Sequence, residues 1–321
     1  MDIFVDILSG MTALADPYVI AFMVGGFLVG TFFGAMPGLT SVLAIALLLP
    51  ITYTIDVVPA LVMCASIFMA GMYSGSITAT TINIPGAPSS VMTAIEGNAL
   101  MKRGFGANAL GHAALGSMIG GAIGAVLLMA FMPVAAEVSL LIRTPGKFSL
   151  VVIVIVDKDN IAKGFVATLL GVMIATVGID VLQPIPRFNF GTETLVEGID
   201  IMPLVIGAFA ISEVLMQSEN WKDNLSSTLE KAKGLKIRRR DFLPPRSEIR
   251  EIGLLTYLRS SFIGYGSGIL PGAGGSMAAF VSYAVARSSS RKPQEYGNGS
   301  REGIAAAETG NNAMCGGAFV P

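Results

Sequence analysis

Long apolar runs alternate with short polar punctuation along most of the chain, and several runs are interrupted inside rather than at their ends. Pro17 to Phe33 is apolar at nearly every position, passes into GTFFGAMPGLT at Gly30 to Thr40, and resumes from Leu39 to Leu49 before Pro50. A crossing helix needs roughly 20 apolar residues, so the resumed piece reads as a half-helix or re-entrant arm. Val57 to Tyr73 makes the next membrane segment, ending in GMYSGSITATTINIPGAPSS at Gly71 to Ser90 with its own Asn83-Ile84-Pro85-Gly86 break. Pro88 opens a helix through Met101 that carries Glu96 and closes on Lys102-Arg103, a basic pair that marks a cytoplasmic end. Asn108 to Val134 is a long span whose Gly116, Gly120, Gly121 and Gly124 form a small-residue face for close helix contact. Leu150 to Val156 is a short apolar run, a buried arm or a strand, and Ile161 to Ile179 and Ile199 to Leu215 are further spans.

The first interrupted run has a near copy. GYGSGILPGAG at Gly264 to Gly274 places Gly264, Gly268, Pro271 and Gly272 on Gly30, Gly34, Pro37 and Gly38 at a constant offset of 234. Leu254 to Gly268 leads into this second break and Ser276 to Ala286 leaves it. The TGNNA stretch at Thr309 to Ala313 then falls close to that register on the earlier YSGSI stretch. Proline removes an amide donor and glycine opens backbone angles closed to other residues, so both helices stop there. Freed amides and carbonyls are tolerated at membrane depth only inside protein or facing a water-filled cavity. Paired breaks in corresponding halves therefore point to a transporter's binding site.

Composition agrees with this pattern. The 321 residues are 53% hydrophobic and only 13% charged, with a mean hydropathy of +0.68, which makes this an integral membrane protein. Met1 to Asp16 carries Asp2, Asp6 and Asp16 without a basic n-region, and reads as an amphipathic lead-in helix rather than a signal peptide. Basic residues concentrate between Ser218 and Glu251, where Lys236 to Arg240 is the densest run. That segment is expected to be a cytoplasmic loop whose charge sets topology. Without interleaved aromatics it does not suggest nucleic acid as a partner, whereas membrane lipid is one. The expected organisation is 1–217 for the first repeat and following spans, 218–251 for the basic loop, and 252–321 for an incomplete second repeat.

Few residues carry candidate chemistry. Cys64 and Cys315 show no paired motif, and His112, the sole histidine, reads as a packing or hydrogen-bonding residue. Without a histidine–carboxylate cluster, a GxSxG or a Gly-rich nucleotide loop, no enzyme, metal site or cofactor is expected. Glu308 lies in GIAAAETGNNAMCGGAFVP, a stretch otherwise apolar or amide-bearing, where a carboxylate is expensive unless neutralised, paired or ion-bound. It is the candidate for the coupling cation or proton, against the alternative of a helix cap at the aqueous edge. Arg187, in PRFNFG at Pro186 to Gly191, is expected to anchor to headgroups, steer an anion, or pair with Asp180 or Glu193.

The ordered set GTFFGAMPGLT, GMYSGSITATTINIPGAPSS, PRFNFG, GILPGAG at Gly268 to Gly274 and EGIAAAETGNNA at Glu302 to Ala313 resembles the large membrane subunit of tripartite tricarboxylate transporters across nearly the whole chain. The resemblance implies a multi-pass permease of the bacterial inner membrane for citrate-like carboxylates, driven by an ion gradient of sodium or protons. It also implies two partners, a small membrane subunit and a periplasmic solute-binding protein. Ser74 stands where the family usually has glycine, and Glu96-Gly97-Asn98 replaces a more usual Asp-Gly-Tyr. The family's C-terminal remainder, with its second Gly-Ile-Pro-Gly loop, is absent from the chain as it stands.

The fold expected is an all-α polytopic membrane protein of two inverted repeats, the second incomplete. Their Pro-Gly breaks meet near the bilayer midplane, where helix amino termini receive carboxylates and carbonyls hold the cation. The substrate-binding candidates are Gly38, Leu39, Thr40 and Ser41; Asn83, Gly86, Ser89 and Ser90; and Gly272, Ala273, Gly274, Asn311 and Asn312. Asp180 and Arg187 are candidate gate residues. The competing classes are a non-transporting truncated scaffold and a channel.

Overall fold

The Asp16 carboxylate accepts the Tyr18 amide at 2.8 Å and Pro17 supplies a helix-compatible φ, so α1 (Pro17–Ala35) starts where the polar lead-in ends. The computed structural model describes residues 10, 12–36, 39–141, 161–179, 185–196, 198–199, 215, 242–270 and 274–320. After the first break, Thr40 caps α2 (Ser41–Thr52) by accepting the Leu43 amide at 3.1 Å. Then come α3 (Val57–Ile82), a 3₁₀ turn at Pro88–Ser90, α4 (Val91–Lys102) and the long α5 (Gly106–Leu141). The remaining helices are α6 (Ile161–Ala175), α7 (Arg246–Ile252), α8 (Leu254–Ile269), α9 (Gly274–Ser289) and α10 (Arg301–Ala318). Among the described helices, three are long and apolar enough to cross a membrane: Pro17–Ala35, Val57–Ile82 and Gly106–Met132.

One expectation is corrected at α3. The Gly-, Ser- and Thr-rich stretch from Gly71 does not end the span but continues it to Ile82. Two of its hydroxyls bond back onto their own helix, Thr81 donating to the Ile77 carbonyl at 2.7 Å and Thr78 to Gly75 at 3.3 Å, without unwinding it. Asn83 then stops the helix in the left-handed conformation, φ 58° and ψ 34°.

Close helix contacts give the directions. A Cβ at Gly30 would stand 2.3 Å from the Ile67 carbonyl oxygen and one at Gly34 2.3 Å from that of Gly71, so α1 runs parallel to α3. α2 turns back along α3, with Ser41 against Gly71, and Ala44, Ile45 and Leu48 packed around Met63 and Ile67. The second half repeats the arrangement. A Cβ at Gly264 would stand 2.2 Å from the Gly310 carbonyl oxygen and one at Gly268 2.2 Å from that of Met314, so α8 runs parallel to α10. α9 returns, and both ends of the α8–α9 hairpin reach the start of α10, where Glu302 accepts from Thr256 at 3.3 Å and from Ser290 at 2.5 Å. Helices of 16 residues rise about 24 Å, less than the roughly 30 Å hydrocarbon core.

These contacts also correct the register expected between the two halves. Gly264 follows Gly30 by 234 positions, but its partner Gly310 follows Ile67 by 243. TGNNA therefore does not correspond to YSGSI: the connection between hairpin and long helix is longer in the second half.

Where α3 meets α10 the chains run oppositely, since Ser76 contacts Glu308 while the earlier Met72 contacts the later Asn311. α5 lies along α10 through the expected small-residue face, Gly116, Gly120 and Gly124 facing Ala305, Thr309 and Ala313. These elements belong to a unit of residues 1–135 and 213–321; residues 136–212 form another. In the latter, a two-residue antiparallel ribbon pairs β1 (Gly178–Ile179) with β2 (Pro186–Arg187), Gly178 opposite Arg187. The runs Leu150 to Val156 and Ser218 to Asp241, and most of Ile199 to Leu215, lie outside the described residues.

Candidate functional site

At the crossing of α3 and α10 the Glu308 side chain is fully buried, in the interior of α10 rather than at an aqueous edge. Hydroxyls from three other helices donate to it: Ser76 of α3 and Thr93 of α4 to Oε1, and Ser117 of α5 to Oε2 at 3.1 Å. Among the described residues no salt bridge reaches this carboxylate. Hydroxyl donors lower the cost of a buried carboxylate without cancelling its charge, which leaves the position suited to a cation or a proton.

The chain breaks gather around this crossing. Gly86 is wedged between the end of α1 and the body of α3: its amide donates to the Gly75 carbonyl at 3.2 Å, and a Cβ there would stand 2.3 Å from the Gly34 carbonyl oxygen. The following turn lays Ser90 Oγ 3.4 Å from Ser76 Oγ, which ties the second break to the Glu308 cluster. At the third break, Gly274 has φ 58° and begins α9. A Cβ on the next residue, Gly275, would stand 2.5 Å from Asn311 Oδ1 and 3.3 Å from Ser89 Cβ. At the first break, Ser41 is buried against Gly71, one residue before the Met72 carbonyl that accepts the Asn311 amide at 3.1 Å.

Ser89 Oγ, Asn311 Oδ1 and Asn312 Oδ1 are buried without a hydrogen-bond partner. Ser89 and Asn311 both lie against Gly275, so two of these open polar atoms stand beside the start of α9.

The structure thus brings together Ser41, Ser89, Ser90, Gly274, Glu308 and Asn311, with Leu39, Thr40 and Asn312 as immediate chain neighbours. Asn83 is exposed and acts as the C-cap of α3. Arg187 lies in the β ribbon of the other unit. Gly38, Gly272, Ala273 and Asp180 fall outside the described residues.

Two polar clusters were not legible in the sequence. Glu96, fully buried on α4, accepts the amides of Gly297, Gly299 and Ser300 at 2.6–2.8 Å and the Tyr283 hydroxyl at 2.6 Å, fastening the loop before α10. Glu248 of α7 accepts from Asn108 at 2.8 Å, lies 2.9 Å from His112 Nε2, and pairs with Arg301 at 3.3 Å. Partial burial pushes the Glu248 carboxyl up, but those donors and the Arg301 charge outweigh it and hold it below the ordinary carboxylate value. Glu96 shares with Glu308 the one local signal that could mark such a cluster, a carboxylate in an apolar stretch.

Apolar helices long enough to cross a membrane, packed around a buried carboxylate, place this chain in the class of helical membrane proteins. Within that class it belongs to the tripartite tricarboxylate transporter TctA family, whose model matches residues 20–321. It is 33% identical over 326 residues to an uncharacterized 52.8 kDa protein from the TAR-I ttuC′ 3′ region of Agrobacterium vitis, over 100% of this chain and 63% of that protein. It is also 44% identical over 54 residues to an uncharacterized protein from the TAR-II ttuC′ 3′ region of the same organism, over 17% of this chain and 22% of that protein. The chain thus spans 63% of the length of the first relative. No solved structure matches it.

Proposed function

We propose that the chain forms the membrane permease subunit of an importer for tricarboxylates or related carboxylates, driven by an ion gradient. The observation that carries this reading is the convergence of three chain breaks on the crossing of α3 and α10, where Glu308 is buried among hydroxyls. Two triplets, α1–α2–α3 and α8–α9–α10, share one internal plan, and their long helices run oppositely where they meet, which supports an inverted repeat with re-entrant hairpins. In that reading the carboxylate solute sits at the hairpin tips, from Gly38, Leu39, Thr40 and Ser41 across Asn83, Gly86, Ser89 and Ser90 to Gly272, Ala273, Gly274, Asn311 and Asn312. Helix amino termini offer partial positive charge there without burying an arginine. Glu308 takes the coupling ion, sodium or a proton, while Asp180 and Arg187 gate access.

Family membership supports a bacterial inner-membrane setting, a small membrane subunit and a periplasmic solute-binding protein as partners, and transport rather than catalysis. The test is uptake of labelled citrate by cells carrying the full set of subunits. Uptake should depend on a sodium or proton gradient and be lost when Pro37-Gly38 becomes Ala-Ala, with membrane insertion unchanged. Uptake surviving that change overturns the broken-helix site. Uptake that follows only the citrate gradient indicates a channel, and no uptake with correct assembly a scaffold.

A further inference from the structure

A polar cavity of about 640 Å³ lies among α7, the start of α8, the end of α9 and the start of α10. Its carboxylates are engaged: Glu248 by Arg301 and His112, Glu251 and Glu295 by Lys292, and Glu302 by the Thr256 and Ser290 hydroxyls. Three guanidiniums in the lining, Arg250, Arg259 and Arg291, have no carboxylate partner among the described residues. Arg259 Nε is moreover a buried donor with no acceptor. A buried unpaired donor is costly, and a guanidinium's forked N–H groups match the oxygens of a phosphate.

The surroundings identify the source of that phosphate. Leu255, which lines the cavity, precedes Arg259 by one helical turn, and Leu254, Leu258 and Phe262 continue an exposed apolar stripe along α8 at 69%, 36% and 59% exposure. Arg259 stands five residues into α8, about 7.5 Å along its axis, a depth at which a headgroup sits above lipid-facing residues. The basic residues at this end of the bundle also make it the cytoplasmic end by the positive-inside rule, where anionic lipid attracts cations.

We propose that this cavity is a binding site for an anionic phospholipid, its phosphate held by Arg250, Arg259 and Arg291 and its acyl chains along Leu254, Leu258 and Phe262. The site lies outside the hairpin-tip cluster and does not depend on the transport reading.

The test is native mass spectrometry of the full chain in detergent, titrated with phosphatidylglycerol, phosphatidylcholine or glycerol 3-phosphate. Phosphatidylglycerol should bind at least about tenfold more tightly than either alternative, and the combined Arg250→Gln, Arg259→Gln, Arg291→Gln variant should weaken it about tenfold. The single Arg291→Gln variant, at an exposed position, should weaken it about threefold and decides the matter if the triple variant does not fold. Unchanged phosphatidylglycerol affinity in a folded variant overturns the site. Glycerol 3-phosphate binding as tightly as the lipid overturns the assignment to lipid in favour of a free phosphate anion.

Discussion

The Ser76 hydroxyl donates to the Glu308 carboxylate across 232 positions of sequence, joining the long helix of the first half to that of the second. Thr93 and Ser117 complete the cradle from two further helices, so four separate stretches of chain meet on one acidic group.

Replacing Glu308 by Gln keeps the shape of that cradle and removes its charge. Ion-driven citrate uptake is expected to fall at least about tenfold while the protein stays monodisperse in gel filtration. Retained ion-dependent uptake in the variant would show that the coupling ion binds elsewhere.

Gly264→Ala places a methyl group 2.2 Å from the Gly310 carbonyl oxygen, so α8 and α10 must separate. The expected cost is about 1–3 kcal/mol, read as a lower midpoint in thermal unfolding in detergent. Gly266→Ala, two residues on, meets nothing within 4 Å and should leave the midpoint unchanged or slightly raised. Equal effects from the two would contradict this packing of α8.

Glu96→Ala strips the acceptor from the amides of Gly297, Gly299 and Ser300. Each amide left without a partner costs about 1–3 kcal/mol, so the loop before α10 should open and limited proteolysis should cut near Gln294 to Asn298 several-fold faster. Unaltered cleavage would mean that the loop is held by other contacts.

The Glu248 carboxyl is held below its ordinary value of 4.5 when folded. A depressed folded value contributes stability that is present above 4.5 and is lost as pH falls through the folded value. Thermal midpoints of the wild type should therefore decline more steeply than those of Glu248→Gln as pH is lowered from 5 through 4 and below. Parallel curves would remove Glu248 from the acid-sensitive contacts.

Where the helices stop was legible from local rules. Met36 and Leu270 end α1 and α8 in extended conformation, immediately before each Pro-Gly pair, because proline disfavours a helical residue ahead of it. The end of α3 was misplaced by nine residues, from Tyr73 to Ile82, because Thr78 and Thr81 satisfy their hydroxyls on their own helix. Nothing in residue type says whether a serine or threonine will do that or reach across to a carboxylate, as Ser76 and Thr93 do.

By itself the sequence determined that this is a helical membrane protein, where its helices are interrupted, and that Glu308 is out of place in hydrocarbon. Those properties depend on residue type and near neighbours. Only the tertiary structure decided that Ser76, Thr93 and Ser117 answer Glu308, that Gly264 meets a partner 243 rather than 234 positions beyond that of Gly30, and that Asn83 is a cap while Asn311 lies in the cluster. Helical periodicity assigns a residue to a face, but which helix covers that face depends on loop lengths and packing summed over the whole bundle.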